Sequence, residues 1–140
     1  NKYLLDQNEK SNLWFPVLRQ KLYLPGLSHA AKEYKIVFYV PESHLQPVKQ
    51  AIFDSGAGKI GNYDQCCWQV LGQGQFRPLA GAQPFIGEVS IEQSATSEEV
   101  MEYRVELVCE DDLIQQAIAA LRQAHPYEEP AFDVWQLASF

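Results

Sequence analysis

Positively charged residues and long apolar runs are scarce in this sequence, and each scarcity excludes a class of partner. The 140 residues contain 11 Lys and Arg against 18 Asp and Glu, a net charge of -7, and the basic residues are scattered. Nucleic-acid binding depends on clustered basic side chains that neutralise phosphates, so this balance argues against a nucleic-acid partner. No apolar run approaches the roughly 18 residues of a membrane-spanning helix, and no basic end precedes a signal-type apolar stretch. We therefore expect neither a nucleic-acid nor a membrane partner.

Cysteine is also scarce, and the three cysteines are poorly placed for a disulfide framework. Cys66 and Cys67 are adjacent and Cys109 is the third, so at least one thiol would stay unpaired. Adjacent residues of a strand point to opposite faces, which makes this pair a poor chelate for one metal ion. We expect reduced, buried and unreactive thiols in a cytoplasmic protein. A contact between Cys109 and one of the adjacent thiols on the core face is the alternative.

Catalytic signatures are absent as well. The sequence contains three histidines, His29, His44 and His125. It contains neither a Gly-x-Ser-x-Gly elbow nor a His-Glu-x-x-His pair. No nucleophile therefore lies beside a recognisable base, and we predict no catalytic residues.

The apolar residues recur at the spacings typical of strands and helices, and these spacings alternate along the chain. A strand is predicted at 34–40, and a helix follows from about Leu45 until Gly56, a natural left-handed cap. The clearest strand alternates apolar and charged residues over 102–109. The other segments are predicted as a strand at 66–71, an irregular connection at 72–87 with a short extra strand at 85–91, a helix at 111–124 and a last strand at 132–137.

The order strand, helix, strand, strand, helix, strand predicts an α+β fold. Two such units, each with its helix on the same side of an antiparallel sheet, make the ferredoxin-like βαββαβ sandwich. We assign it to residues 34–140, and we interpret residues 1–33, which lack a sustained period, as an N-terminal extension without a defined fold. The sheet face away from the helices must meet solvent, that extension or another subunit, and Tyr39 and Trp135 indicate that it is not left bare.

One polar segment, 125–130, contains an imidazole, a phenol and two carboxylates together with two prolines. Imidazole and carboxylate groups bind divalent cations, so His125, Glu128 and Glu129 are the candidate metal ligands. The alternative is a rigid corner between helix and strand, in which His125 caps the preceding carbonyls.

A second candidate is the glycine-rich loop 56–63, whose backbone amides could surround an anion while Lys59 adds positive charge. Its spacing matches neither the dinucleotide fingerprint nor the P-loop, and turning the chain between helix and strand is the alternative role. The predicted ligand-binding residues are Gly56, Gly58, Lys59, Gly61, Asn62, Tyr63 and Tyr127.

Four short segments also carry a resemblance to a known family. They read Gly-Ala-Gly-Lys-Ile-Gly-Asn-Tyr-Asp-Gln-Cys at 56–66, Gly-Gln-Gly-Gln-Phe-Arg-Pro at 72–78, Gly-Ala-Gln-Pro-Phe-Ile-Gly at 81–87 and His-Pro-Tyr-Glu-Glu-Pro-Ala-Phe-Asp at 125–133. In this order they resemble the domain inserted in bacterial members of the Nif-three-like (Ngg-interacting factor three) family. That domain is itself similar to the CutA and PII proteins, which are ferredoxin-like trimers. The resemblance therefore implies a stand-alone CutA/PII-like domain that forms a homo-oligomer, a trimer or a dimer.

The resemblance implies little about the chemistry of the protein. The His-Pro-Tyr segment is similar to a CutA signature whose histidine is implicated in copper binding, which implies a metal role for His125 alone. The two-metal site of the larger family members lies in the flanking domains, and its histidine-rich motifs have no counterpart here. The resemblance thus implies no hydrolase activity.

Together these observations predict a cytoplasmic, oligomeric, non-catalytic module that binds a small ligand or a divalent cation such as copper or zinc. Two alternatives remain open. One is a metal-dependent enzyme whose site is completed by a second subunit. The other is a purely structural protein-interaction module.

Overall fold

A computed structural model describes residues 31–86 and 97–140. Residues Glu33–Leu137 form one compact unit, to which the description below applies. Its elements are β1 (Glu33–Pro41), a 3-10 turn (Glu42–His44), α1 (Leu45–Asp54), β2 (Trp68–Phe76), β3 (Glu98–Glu110), α2 (Ile114–Ala124) and β4 (Phe132–Gln136). This order and the antiparallel sheet confirm the predicted α+β ferredoxin-like fold.

The four strands form one sheet in the order β2-β3-β1-β4, and every neighbouring pair is antiparallel. The central position of β1 follows from its sequence, a nearly continuous run of β-branched and aromatic residues that suits burial on more than one side. Ile36 lies opposite Leu107 on β3 and Val134 on β4. The three residues therefore share one face of the sheet.

The core lies between that face and the two helices. On β3 the predicted alternation is confirmed, because Val105, Leu107 and Cys109 are buried toward the helices. Each helix contributes one apolar stripe at helical spacing. The buried helical residues are Leu45, Val48 and Ile52 of α1 and Ala117 and Leu121 of α2.

The largest difference from the sequence prediction concerns β2. It begins at Trp68 rather than at residue 66, and it continues to Phe76 through a stretch predicted to be irregular. Gly72 and Gly74 lie opposite Glu102 and Val100 in continuous register. Pairing with β3 thus overrides the low strand propensity of glycine, and β3 itself begins at Glu98, four residues before its predicted start.

Smaller differences follow from local structure. Cys66 and Cys67 precede β2, so the prediction that they alternate on a strand is wrong. Helix α2 begins at Ile114, after a turn that contains the acidic residues placed at its predicted start. Phe85 and Ile86 lie in a bend, and the rest of the predicted extra strand lies outside the described residues, as do residues 1–30 of the predicted extension.

The sheet face away from the helices carries exposed aromatic and aliphatic side chains. Trp68 is 60% exposed and Trp135 is 47% exposed, while Val37 is buried and Tyr39 is half-buried. The predicted homo-oligomer stays a prediction, because one chain does not show what meets this face. Of the helices in the described ranges, neither is long and apolar enough to cross a membrane.

We expect Leu121→Ala to lower the free energy of unfolding by about 2–5 kcal/mol, because it removes a fully buried side chain and leaves a cavity. Urea denaturation followed by circular dichroism measures this loss. Gln123→Ala, at an exposed position of the same helix, is the control and should stay within about 0.5 kcal/mol of the wild type. Equal effects of the two substitutions would contradict the proposed packing of α2.

Candidate functional site

The corner after α2 is held by the side chain of His125. Its Nε2 lies 2.6 Å from the carbonyl oxygen of Tyr39 on β1, and its Nδ1 lies 3.1 Å from the amide nitrogen of Tyr127. A carbonyl only accepts, so Nε2 carries the proton and Nδ1 accepts from the amide. The amide of Tyr39 also donates to the carbonyl of Ala131 (3.2 Å). Both backbone groups of Tyr39 thus anchor the corner to β1.

These contacts favour the rigid corner over the metal site. His125 is buried, and burial lowers the pKa of its imidazole; the Tyr39 carbonyl opposes this shift and His44 adds to it. Both ring nitrogens are already occupied. Within residues 31–86 and 97–140, no group of three or more His, Cys, Asp or Glu side chains is arranged to hold a metal ion. Metal binding by His125, Glu128 and Glu129 therefore stays a prediction without geometric support.

A cavity of about 330 Å³ lies beside this corner. It is bounded by the end of β2, the start of β3, the loop 78–86 and the segment 127–131. Most of its wall is apolar, and a few polar groups enter it. The apolar wall includes Phe76, Pro78, Pro84, Phe85, Ile86 and Val100, and the ionisable groups are Glu102, Tyr127, Glu128 and Glu129.

The side chain of Glu102 occupies the space left by the missing side chain of Gly74. Its side chain lies over Gly74 on the neighbouring strand, so closely that a Cβ atom at position 74 would collide with Glu102 Oε1. Gly72, two residues earlier on the same face, has open space at the equivalent point. The carboxyl of Glu102 is partly removed from water, and this burial raises its pKa.

Tyr127 carries an unpartnered hydroxyl. Among the described residues it is the one with a buried side-chain oxygen or nitrogen that lacks a hydrogen-bond partner. Burial raises the pKa of this phenol, and the nearby charge of Glu102 adds to the shift. Leaving a buried hydroxyl without a partner costs about 1–3 kcal/mol. Tyr127 thus lines the cavity, while its hydroxyl is buried and the hydrogen-bonding capacity of that hydroxyl is unused.

The loop 78–86 closes one side of the cavity through two contacts. The amide of Gln83 donates to Glu128 Oε2 at 2.7 Å. The ring of Phe85 meets His44 edge-on, with 5.3 Å between ring centroids, and lies 6.1 Å from the ring of Tyr127. Glu128 is thus a loop anchor in this structure, and Phe85 lies between the corner and the 3-10 turn.

The glycine-rich loop 56–63 lies at the other end of the sheet. The amide of Gly58 donates to the carbonyl of Val108, whereas the cavity contains Val100 and Glu102 of the same strand. Six residues of antiparallel strand separate Glu102 from Val108, a distance of about 20 Å. The two predicted sites therefore do not converge, and of the predicted ligand-binding residues Tyr127 alone lines the cavity.

The amides of this loop are also used internally. Those of Gly56, Gly58 and Tyr63 donate to the carbonyls of Phe53, Val108 and Ile60. An anion would have to compete with these bonds, so the geometry favours the turning role over the anion site. Lys59, Gly61, Asn62 and Tyr63 are exposed.

The cysteines lie away from the cavity. Cys109 is in the core, where burial, followed by the charges of Glu110 and Asp112, raises the pKa of its thiol to about 12. Such a thiol is unreactive at neutral pH. Cys66 and Cys67 are half-buried free thiols.

The sequence prediction missed Glu102 and Phe85, which line the cavity, and Gly74, over which Glu102 lies. A signal was available in Gly-Gln-Gly at 72–74, because glycine inside a strand often marks a close approach by another group. Glu102 was recognised only as part of a polar sheet face.

Comparison with known proteins shows that the chain is similar to part of several longer proteins. No family model matches it. It is 47% identical over 114 residues to a GTP cyclohydrolase 1 type 2 homolog of Mycobacterium tuberculosis, covering 81% of this chain and 28% of that protein. The homolog of Bacillus subtilis is 41% identical over 101 residues, covering 72% and 26%. The crystal structure of a Bacillus cereus protein related to NIF3 matches with a TM-score of 0.66 and 35% identity, covering 80% of this chain and 27% of that one.

The chain is homologous to the insert region of these NIF3-related proteins. It spans about a quarter of the length of the curated relatives it matches. The fold of this NIF3-related insert also matches CutA1 of Ehrlichia chaffeensis, a divalent ion tolerance protein, with a TM-score of 0.56, 11% identity and coverage of 79% and 86%. This second likeness concerns the fold alone.

In the NIF3-related insert we expect Gly58→Ala to lower the free energy of unfolding by about 2 kcal/mol or more. Gly58 has φ +84°, and a Cβ there would lie 2.9 Å from ring carbons of Phe53 and 3.1 Å from the carbonyl oxygen of Cys66. Gly61→Ala is the matched control, since Gly61 has φ +57° and open space around it, and should cost about 1 kcal/mol. Urea denaturation distinguishes the two, and equal losses would contradict the packed turn.

We expect the imidazole of His125 to titrate below its ordinary value near 6.5. The unfolded chain then takes up more protons as the pH falls below about 6.5, so the contribution of His125 is fully present above that pH and is lost as the pH falls through the folded pKa. An NMR titration of the ring resonances measures the midpoint, and denaturation at pH 7.5 and 6.0 measures the slope. A midpoint at or above 6.5 would refute the buried neutral ring.

Proposed function

We propose that this domain is a non-catalytic small-ligand-binding module of the NIF3-related proteins, with its ligand held in the cavity beneath the loop 78–86. The observation that carries the proposal is the cavity of about 330 Å³, whose mostly apolar wall includes Tyr127 and the half-buried carboxyl side chain of Glu102. Ligand sites are concave and mostly apolar, and a few convergent polar groups orient the ligand.

The surrounding contacts support a pre-formed site. His125 holds the backbone of Tyr127 against β1, and Glu128 holds the loop through the amide of Gln83. A site whose shape is fixed before binding loses less conformational entropy when the ligand enters. The polar groups of the corner thus serve the shape of the cavity.

The wider activity of the relatives is a separate matter. They are named GTP cyclohydrolase 1 type 2 homologs, and this domain corresponds to about a quarter of their length. We propose that the domain supplies them with a ligand-binding, regulatory function and that any chemistry on GTP belongs to the remainder of those proteins.

A fragment screen by ¹H–¹⁵N NMR tests the proposal with neutral, cationic and anionic aromatic compounds. We expect hits that shift the amide resonances of Gln83, Glu102 and Tyr127. Val100→Trp, which fills the cavity wall, should weaken each hit at least tenfold. Met101→Trp, at the exposed neighbouring position on the opposite face, is the control and should bind as the wild type does. The proposal is wrong if no compound shifts these resonances or if Val100→Trp leaves the hits unchanged.

A further inference from the structure

We propose that the ligand of this cavity is an organic cation, an amine or amidinium group attached to a flat apolar body. This inference rests on the proposed function and adds the chemical class of the ligand. It follows from the charge of the cavity, from the position of Glu102 and from the character of the wall.

The charge of the cavity is of one sign. Glu102, Glu128 and Glu129 line it, and among the lining residues that the structure describes none is Lys, Arg or His. Carboxylates grouped around an apolar cavity attract cations and repel anions, and the low-dielectric wall strengthens the effect. A phosphate or carboxylate ligand would meet repulsion from all three.

The nearest basic side chain on the same strand face is committed elsewhere. Arg104 lies two residues from Glu102, and its Nε is 3.5 Å from Glu106 Oε2. Its Nη1 donates to the hydroxyl of Tyr39 at 3.3 Å. Within the described part of the chain Glu102 has no ion-pair partner, so an incoming cation would be the first to neutralise it.

Because of the position of Glu102, neutralising its charge is energetically favourable. Gly74 lets the carboxyl approach β2 closely, where it is partly removed from water, and burying a carboxylate without a partner is costly. A cation that donates hydrogen bonds to it offsets this cost.

The wall suits a flat apolar body. Phe76, Phe85 and Tyr127 contribute aromatic rings, and Val100 and Ile86 contribute aliphatic surface. An apolar cavity about half this size holds a benzene ring, so a one- or two-ring body fits. Aromatic rings also attract a cation that lies over their faces.

Three nearly isosteric probes test the class of ligand on the full chain: benzamidinium, benzamide and benzoate, which differ in charge. Isothermal titration calorimetry at pH 7.5 should show benzamidinium binding at least tenfold more tightly than benzamide, and no binding of benzoate. Glu102→Gln should weaken benzamidinium at least tenfold and leave benzamide unchanged.

Gly74→Ala provides a test that keeps the carboxylate but moves it. The added Cβ collides with the flexible end of Glu102, so we expect the fold to persist, as checked by circular dichroism, while benzamidinium binding weakens at least fivefold. Gly72→Ala, where nothing lies within 4 Å of the new Cβ, is the matched control and should bind as the wild type does.

The outcomes separate the two proposals. If benzamide or benzoate binds in the cavity as tightly as benzamidinium, or if Glu102→Gln changes nothing, the ligand class is wrong and the proposed function stands. If none of the probes binds and the fragment screen finds no compound that shifts the cavity resonances, both proposals are wrong.

Discussion

The burial of β1 in the centre of the sheet is the constraint on which the rest of the structure depends. It pairs with β3 on one side and with β4 on the other, and its residues Ile36, Phe38 and Val40 are fully buried beneath the helices. Without this strand the sheet would separate into β2-β3 and an isolated β4. The end of β1 also supplies the backbone of Tyr39, to which the corner after α2 is hydrogen-bonded. The core and the candidate site therefore share one anchor.

The corner shows how a reactive-looking motif serves a structural purpose. Imidazole and carboxylate groups within six residues suggest metal chemistry, but His125 uses one ring nitrogen for Tyr39 and the other for Tyr127. A buried neutral histidine whose two ring nitrogens are both hydrogen-bonded to the backbone holds the chain in its turn, and neither nitrogen is free to bind a ligand. The group that this arrangement leaves unpartnered is the buried hydroxyl of Tyr127, a residue that lines the cavity. The motif thus shapes the site through its backbone and one phenol.

Fold and site follow different rules in this protein. CutA1 of Ehrlichia chaffeensis shares the fold at 11% identity, because many sequences satisfy the same pattern of strands and helices. Function depends instead on particular side chains placed on that scaffold. In the proposed site these are the side chains of Glu102 and Tyr127, while Gly74 leaves room for Glu102. The sheet face that carries Trp68 and Trp135 is exposed, and the strand pattern alone does not say what contacts it.

The sequence by itself determined the type and order of the elements, because hydrophobic periods of 3.6 and 2 residues are local properties of the chain. It also determined the family relationship through its short motifs. The sequence did not determine the length of β2, because Gly72 and Gly74 are extended only through their pairing with β3. Only the tertiary structure decided that the loop 56–63 and the corner lie at opposite ends of the sheet and that Glu102 faces Gly74 beside Tyr127. These placements depend on the register of β2 against β3, where a shift of one residue would put Gln73 or Gln75 in the place of Gly74, and no local pattern of residues specifies that register.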